Sequence, residues 1–90
     1  MIKTISIQVY GKVQGVWYRA STQDHAQSLG IVGTVQNRKD GSVYIEAQGT
    51  TTQLNALINW CKEGPELARV DRIEQATITP KAYPNFSVVR

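Results

Sequence analysis

The stretch Gly11-Lys12-Val13-Gln14-Gly15-Val16-Trp17-Tyr18-Arg19 lies between a strand pattern and a helix pattern. In residues 4–10, apolar and polar side chains alternate, which predicts a half-buried β-strand. After the stretch, apolar positions recur at spacings of three and four, which predicts a helix over residues 18–29 that ends at Gly30. The stretch therefore forms a loop that leads from a strand into a helix. The predicted helical stripe consists of Tyr18, Thr22, His25, Ala26 and Leu29.

Two more strands and a second helix are predicted next. Residues 31–37 have a strand pattern, Asp40-Gly41 is a strong hairpin turn signal, and alternation resumes at Val43. Threonines that can cap a helix follow, and Gly64-Pro65 ends that helix. Its apolar positions, at i, i+3, i+4 and i+7, are Leu54, Leu57, Ile58 and Cys61.

The last part of the chain completes a known element order. A strand is predicted over residues 70–79, where Ile73 and Ile78 differ in parity, so we expect a bulge or an irregular start. Residues 86–89 could add a short final strand. The order strand, helix, strand, strand, helix, strand is the split βαβ pattern, an α+β fold with both helices on one face of an antiparallel sheet. The opposite face would be polar and would carry Thr4, Ser6, Gln8, Tyr44 and Glu46.

Length and composition limit the classes of function. The 90 residues predict a single domain over residues 1–90, and the formal charge of +3 is spread along the chain without a basic run, so we expect no nucleic-acid partner. No stretch has the apolar core of a signal peptide or the length to span a membrane. Cys61, the sole cysteine, fits a reducing compartment, so we expect a cytoplasmic protein without a membrane partner. Small size and a polar free sheet face predict a monomer, with an edge-strand dimer left open.

The loop has the properties of an anion-binding site. Gly11 and Gly15 allow tight turns and a close approach of the backbone to a ligand. A loop that opens a helix turns several N–H groups toward one point, and the helix N-terminus adds partial positive charge. Arg19, in the first helical turn, adds a planar guanidinium that suits phosphate or carboxylate oxygens. The glycine-rich signatures of nucleotide sites are absent, so nucleotide binding loses its usual support.

Among the remaining reactive residues, Asn37 is the most informative. It ends the second predicted strand, which can lie near the loop, and its amide both donates and accepts, so it could hold a water molecule. As a turn residue it is explained equally well. His25 is expected to be a packed or boundary residue. Cys61 falls among the apolar positions of the second helix and is expected to be a core residue. No arginine follows it shortly, as a cysteine phosphatase would require, so that reaction class loses support. No short-spaced cluster of ligands occurs, so we expect no metal and no cofactor.

Together, the loop and Asn37 make the sequence similar to the acylphosphatase family over nearly all 90 residues. Residues 11–19 resemble the family's phosphate loop with its terminal arginine. Residues 29–43 resemble the second motif, which ends in Asn and Asp-Gly-x-Val. Gly64-Pro65 followed by Ala68-Arg69-Val70 gives weaker support.

The resemblance implies a ferredoxin-like α/β sandwich and hydrolysis of the carboxyl-phosphate bond of acyl phosphates, which yields a carboxylate and phosphate. It implies that Arg19 binds the phosphoryl group and that Asn37 positions the attacking water. The sequence departs from the family at Tyr18, where Phe is frequent, at Tyr44, where Glu is common, and at Val89, where a basic residue is common. The loop residues implied to bind substrate are Val13, Gln14, Gly15, Val16 and Trp17.

Two other classes of function remain open at this point. Ferredoxin-like sheets often bind RNA through aromatic residues of the central strands, but residues 39–44 lack the required octamer and Tyr44 alone is a poor platform. A regulatory domain could hold acyl or carbamoyl phosphate without releasing it quickly, and the motifs alone do not separate it from a hydrolase. We expect the enzyme, because the predicted domain fills the sequence and leaves nothing for it to regulate.

Overall fold

The computed structural model describes residues 1–89 and has the element order that the sequence predicts, including the short final strand. The predicted domain also contains Arg90, which lies outside the described residues. In chain order the elements are β1 (Ile2–Lys12), α1 (Tyr18–Ser28), β2 (Val32–Asn37), β3 (Val43–Thr50), α2 (Thr51–Cys61), β4 (Arg69–Thr77) and β5 (Phe86–Val89).

The strands form one sheet in the order β4-β1-β3-β2-β5. The first four strands are antiparallel to their neighbours, as predicted, whereas β5 pairs parallel to β2. The fifth strand therefore makes the complete sheet mixed, while the four strands of the split βαβ pattern form the expected antiparallel sheet. The reason is geometric: β4 runs opposite to β2, and the connection after β4 reverses the chain before it reaches β5.

β1 extends further than the sequence suggested. Gly11 and Lys12 still pair with β4. The register of the β1–β4 pair shifts between Tyr10 and Gly11, which leaves Asp71 as an extra residue in β4. This β-bulge confirms the expected irregular start of β4, although it precedes Ile73, and Ile78 lies beyond the end of the strand at Thr77. The loop between β1 and α1 is consequently reduced to residues 13–17.

The two helices begin in different ways. α2 has a capping box in which the Thr50 hydroxyl accepts from the N–H of Gln53, and the Gln53 side chain accepts from the N–H of Thr50. This confirms the predicted threonine cap. α1 has Trp17 as its N-cap residue and no side-chain cap.

The core lies between the helices and one face of the sheet. The alternation buries Ile5, Ile7 and Val9 in β1 and every second side chain in β3, as predicted, and Thr4 near the start of β1 is buried as well. From α1, the stripe residues Tyr18, Thr22 and Ala26 are buried. His25 is exposed and stacks on the ring of Trp60 with 4.4 Å between centroids, so it is a boundary residue rather than a core residue. Within residues 1–89, neither helix has the length and apolar character needed to cross a membrane.

The opposite face of the sheet is polar, as predicted, but residues 78–85 run across it. This segment, which we call the 78–85 connection, leads from β4 at one edge to β5 at the other. Hydrogen bonds attach it in turn to β1, β3 and β2. They join Ile78 to Thr4, Lys81 and Tyr83 to Glu46, and Asn85 to Gly33.

Candidate active site

The loop at residues 13–17 is anchored by two apolar side chains. Val13 and Val16 are buried, with only 1% and 4% of their surfaces exposed. Gly15, which lies between the two valines, has a positive φ angle of 75°. Trp17, which follows them, has a positive φ angle of 67°. A backbone in which negative and positive φ alternate gathers successive N–H groups into a concavity that suits an anion.

The N–H groups of this segment are available to a ligand. In the described part of the chain, those of residues 14–19 donate no hydrogen bond to another residue. They stand at the N-terminus of α1, whose first turn contains no acidic residue but does contain Arg19. The helix dipole and the guanidinium therefore both favour negative charge here.

A groove of about 790 Å³ opens between this loop, α1 and β5. Arg19 and Asn37 both line it, although they are far apart in the sequence and lie on α1 and β2. Of the predicted loop residues, Val13, Gly15 and Trp17 also line the groove. Gln14 and Val16 do not line it, and the side chain of Val16 is buried.

The side chain of Gln14 bonds to the β2–β3 hairpin, a contact that the sequence did not predict. Its Nε2 donates to the carbonyl oxygens of Arg38 at 2.7 Å and of Ser42 at 2.8 Å. These two residues flank the β2–β3 turn, and the Arg38 N–H also donates to the Ser42 carbonyl at 2.8 Å. Gln14 thus joins the loop to the hairpin that carries Asn37. The sequence contains no local signal for this contact, because it depends on how the two segments meet in the fold.

Asn37 has an unusual hydrogen-bond state. It is the last residue of β2 and pairs with Val43 at the start of β3, which fixes its backbone. Its Oδ1 atom is buried and accepts no hydrogen bond from residues 1–89. A buried acceptor without a donor costs about 1–3 kcal/mol. Such an atom beside the groove can accept a hydrogen bond from a small polar molecule, and water is the smallest.

Two further reactive side chains, those of Cys61 and Tyr18, are buried, although Tyr18 also lines the groove. Burial raises the pKa of the Cys61 thiol to about 12, so the thiolate that nucleophilic chemistry requires is scarce at neutral pH. The hydroxyl of Tyr18 donates to the Cys61 carbonyl at 2.7 Å. Burial first, and then the neighbouring Cys61 side chain, raise the pKa of Tyr18 far above its usual value of 10. Both groups serve packing. No group of three or more His, Cys, Asp or Glu residues in the range 1–89 could hold a metal ion.

Comparison with known proteins shows which family the chain belongs to. A family model described as Acylphosphatase matches residues 5–88, which is nearly the whole chain. The chain belongs to the acylphosphatase family. The resemblance that the two sequence motifs suggested is thereby confirmed. Members of the family hydrolyse acyl phosphates, and this chain is an enzyme of that class, a hydrolase acting on acid anhydrides.

Individual acylphosphatases agree in sequence and in structure. The chain is 48% identical over 85 residues to an acylphosphatase from Thiobacillus denitrificans, with 94% of each chain covered. Its fold matches a solved acylphosphatase from Coxiella burnetii with a TM-score of 0.94 at 34% identity, covering 98% of this chain and 93% of that one. An acylphosphatase from Bacillus subtilis matches over the full length of both chains, with a TM-score of 0.94 at 32% identity. The ferredoxin-like fold is therefore confirmed.

Proposed function

We propose that this acylphosphatase holds the phosphoryl group of its substrate with the N–H groups of residues 13–17 and the guanidinium of Arg19, and that Asn37 orients the attacking water. The observation that carries the proposal is the single groove that Arg19 and Asn37 share. Two further observations support it: the N–H groups of the loop lack protein acceptors within residues 1–89, and Asn37 Oδ1 lacks a donor there.

The reaction requires one bond to form and one to break. The oxygen of water attacks phosphorus, and the bond between phosphorus and the carboxyl oxygen breaks with its electron pair on the departing carboxylate. A phosphoryl oxygen of the substrate takes the proton of the water. A carboxylate is stable at neutral pH without protonation, so the site needs no general acid. The protein's task is to stabilise charge and to align the water.

Each part of the site has a defined share in that task. Arg19 can place two N–H donors on phosphoryl oxygens, and the loop N–H groups surround the same oxygens from the other side. Asn37 can accept a hydrogen bond from the water and turn its lone pair toward phosphorus. Inorganic phosphate, the product, would occupy the same groups and should inhibit competitively.

We also infer the conditions under which the enzyme works. The chemistry above draws its positive charge from Arg19 and the helix N-terminus, so we propose that it proceeds without a metal ion or a cofactor. A single buried thiol fits the reducing cytoplasm. Residues 1–90 should act as one domain and as a monomer, because charged side chains along the exposed β4 edge discourage strand pairing between copies. We propose neither a nucleic acid nor a membrane as a partner.

The first test is phosphate release from benzoyl phosphate with a chelator present. The wild type should hydrolyse it rapidly and leave an ordinary phosphate monoester intact. Arg19→Ala should lose roughly 10²–10³-fold in rate, as expected when one preorganised donor to developing charge is removed. Arg72→Ala, which removes an exposed arginine on β4, serves as the matched control and should keep wild-type activity. Near-normal turnover by Arg19→Ala would refute the role of that residue.

A second pair of variants separates binding from water positioning. Asn37→Ala should lose most of kcat while the inhibition constant of phosphate stays close to the wild-type value. Asn55→Ala, on the exposed face of α2, is the control for the loss of an amide. A loss of phosphate affinity as large as that of Arg19→Ala would instead assign Asn37 to phosphate binding.

A further inference from the structure

Neither the backbone conformation at position 17 nor packing in the core accounts for a tryptophan there. Its φ of 67° lies in the left-handed region, which bulky side chains rarely adopt and which glycine or asparagine adopts at little cost. Its side chain is 76% exposed and so contributes little to the core. A strained position occupied by a large exposed aromatic residue calls for an explanation outside folding.

The groove supplies one. Trp17 lines the same groove as Arg19, two positions further along the chain, and belongs to the loop that cradles the phosphoryl group in the proposed function. A volume of about 790 Å³ is far more than a phosphoryl group needs and is typical of sites that hold a complete small molecule. The acyl group is bonded to the phosphoryl group, so it must lie within a few ångströms of the loop.

We propose that Trp17 is a specificity-determining residue that contacts the acyl group and favours acyl phosphates with a planar aromatic or large apolar acyl part over those with a small one. This inference rests on the proposed binding of the phosphoryl group by the loop. The indole ring provides a flat apolar surface that substrate can cover, and the half-buried Val88 of β5 also lines the groove. Covering the exposed indole with an acyl group removes apolar surface from water, and a methyl group covers much less of it than a phenyl ring does.

Kinetics with two substrates test the proposal. Benzoyl phosphate and acetyl phosphate have the same scissile bond and differ only in the acyl group. Trp17→Asn removes the ring, and asparagine tolerates the left-handed backbone, so the loop should keep its shape. The ratio of kcat/KM for benzoyl phosphate to that for acetyl phosphate should fall about 2- to 10-fold in this variant. The inhibition constant of inorganic phosphate should stay within about twofold of wild type.

Two other variants make the test specific. Trp17→Phe keeps an aromatic ring and should retain most of the preference. Leu67→Asn removes an apolar side chain that is 64% exposed but lies outside the groove, and it should leave the ratio unchanged. An unchanged ratio in Trp17→Asn, or an equal loss on both substrates, overturns the proposal. An inhibition constant of phosphate that Arg19→Ala leaves unchanged would instead refute the proposed binding of the phosphoryl group, and this measurement is independent of the substrate ratio.

Discussion

The side-chain amide of Gln14 donates a 2.7 Å hydrogen bond to the carbonyl oxygen of Arg38, the residue that directly follows Asn37. A second bond, to the carbonyl of Ser42, holds the other side of the same turn. One side chain therefore sets the distance between the loop proposed to hold the phosphoryl group and the residue proposed to hold the water. Gln14 is a positioning residue in this scheme, since its side chain does not line the groove.

Replacing Gln14 with alanine should affect turnover more than binding. Misplacement of a reacting group by about 1 Å can cost roughly 100-fold in rate, so we expect kcat to fall about 10- to 100-fold in Gln14→Ala. The inhibition constant of phosphate should change by less than about threefold, because the loop N–H groups remain. Steady-state kinetics beside Gln75→Ala, an exposed glutamine on β4, measure both quantities. A kcat equal to that of the wild type would show that the loop and the hairpin hold their relative position without this side chain.

The hydroxyl of Tyr18 should contribute measurably to stability. Tyr18→Phe keeps the ring but leaves the Cys61 carbonyl without its buried donor, so the free energy of unfolding should fall by about 1–3 kcal/mol. Urea denaturation measures this change. Tyr10→Phe is the matched control, because that hydroxyl bonds the exposed Glu74, and it should change stability by less than about 0.5 kcal/mol. Equal effects of the two variants would contradict the assignment.

Glu46 should make stability depend on pH in the acid range. Burial raises the pKa of this carboxyl, but hydrogen bonds from Tyr83, Lys81 and Tyr44 outweigh it and hold the pKa below its ordinary value of 4.5. The stability that the carboxylate contributes is therefore present above about pH 4.5 and is lost as the pH falls through the lower folded-state pKa.

A neutral replacement should remove that dependence. Glu46→Gln should lower the free energy of unfolding by about 1–2 kcal/mol at pH 7 and should flatten its decline below pH 4.5. Urea denaturation at a series of pH values measures both effects. Glu74→Gln, an exposed carboxylate on β4, should leave the curve close to that of the wild type. If Glu46→Gln lost stability in acid as steeply as the wild type, other carboxylates would have to account for the decline.

Two glycines with positive φ should respond very differently to alanine. A Cβ atom at Gly33 would overlap the backbone carbonyl of Glu46 on the adjacent strand, and neither backbone can yield without breaking the β2–β3 ladder. At Gly41, in the hairpin turn, no atom lies within 4 Å of the added Cβ, and only the backbone strain remains. In thermal denaturation, the free energy of unfolding should fall by more than about 3 kcal/mol for Gly33→Ala and by about 1–2 kcal/mol for Gly41→Ala. Losses of similar size would mean that the sheet relaxes around Gly33.

The sequence predicted most of the fold because the signals involved are local. Alternation in β1 and β3, the helical stripe of α1 and the threonine cap of α2 each depend on neighbours within a few residues. The direction of β5 was left open, because a four-residue strand carries no information about the direction of its partner. The role of the Gln14 side chain was missed for a similar reason, since its partners lie more than twenty residues away.

For the site, the sequence identified candidate residues but not their positions relative to one another. The motifs named Arg19 and Asn37, and the groove that both residues line is a property of the folded chain. The exposure of Trp17 was not predicted either, because this residue precedes the helical stripe that begins at Tyr18 and no spacing assigns it to a face. The buried, unpartnered state of Asn37 Oδ1 depends on three-dimensional packing around the end of β2, which no spacing in the sequence encodes.

The first strand of the chain lies inside the sheet, between β3 and the edge strand β4, and this position governs how the protein can acquire its structure. Ile5 pairs with Ala47 on one side and with Thr77 on the other, so β1 stays incomplete until distant segments reach it. Large loops must close before these contacts give any stabilisation, and the entropy lost in closing them raises the folding barrier. We expect this small protein to fold in milliseconds to seconds rather than in microseconds, with the docking of β4 onto β1 as a late and slow event.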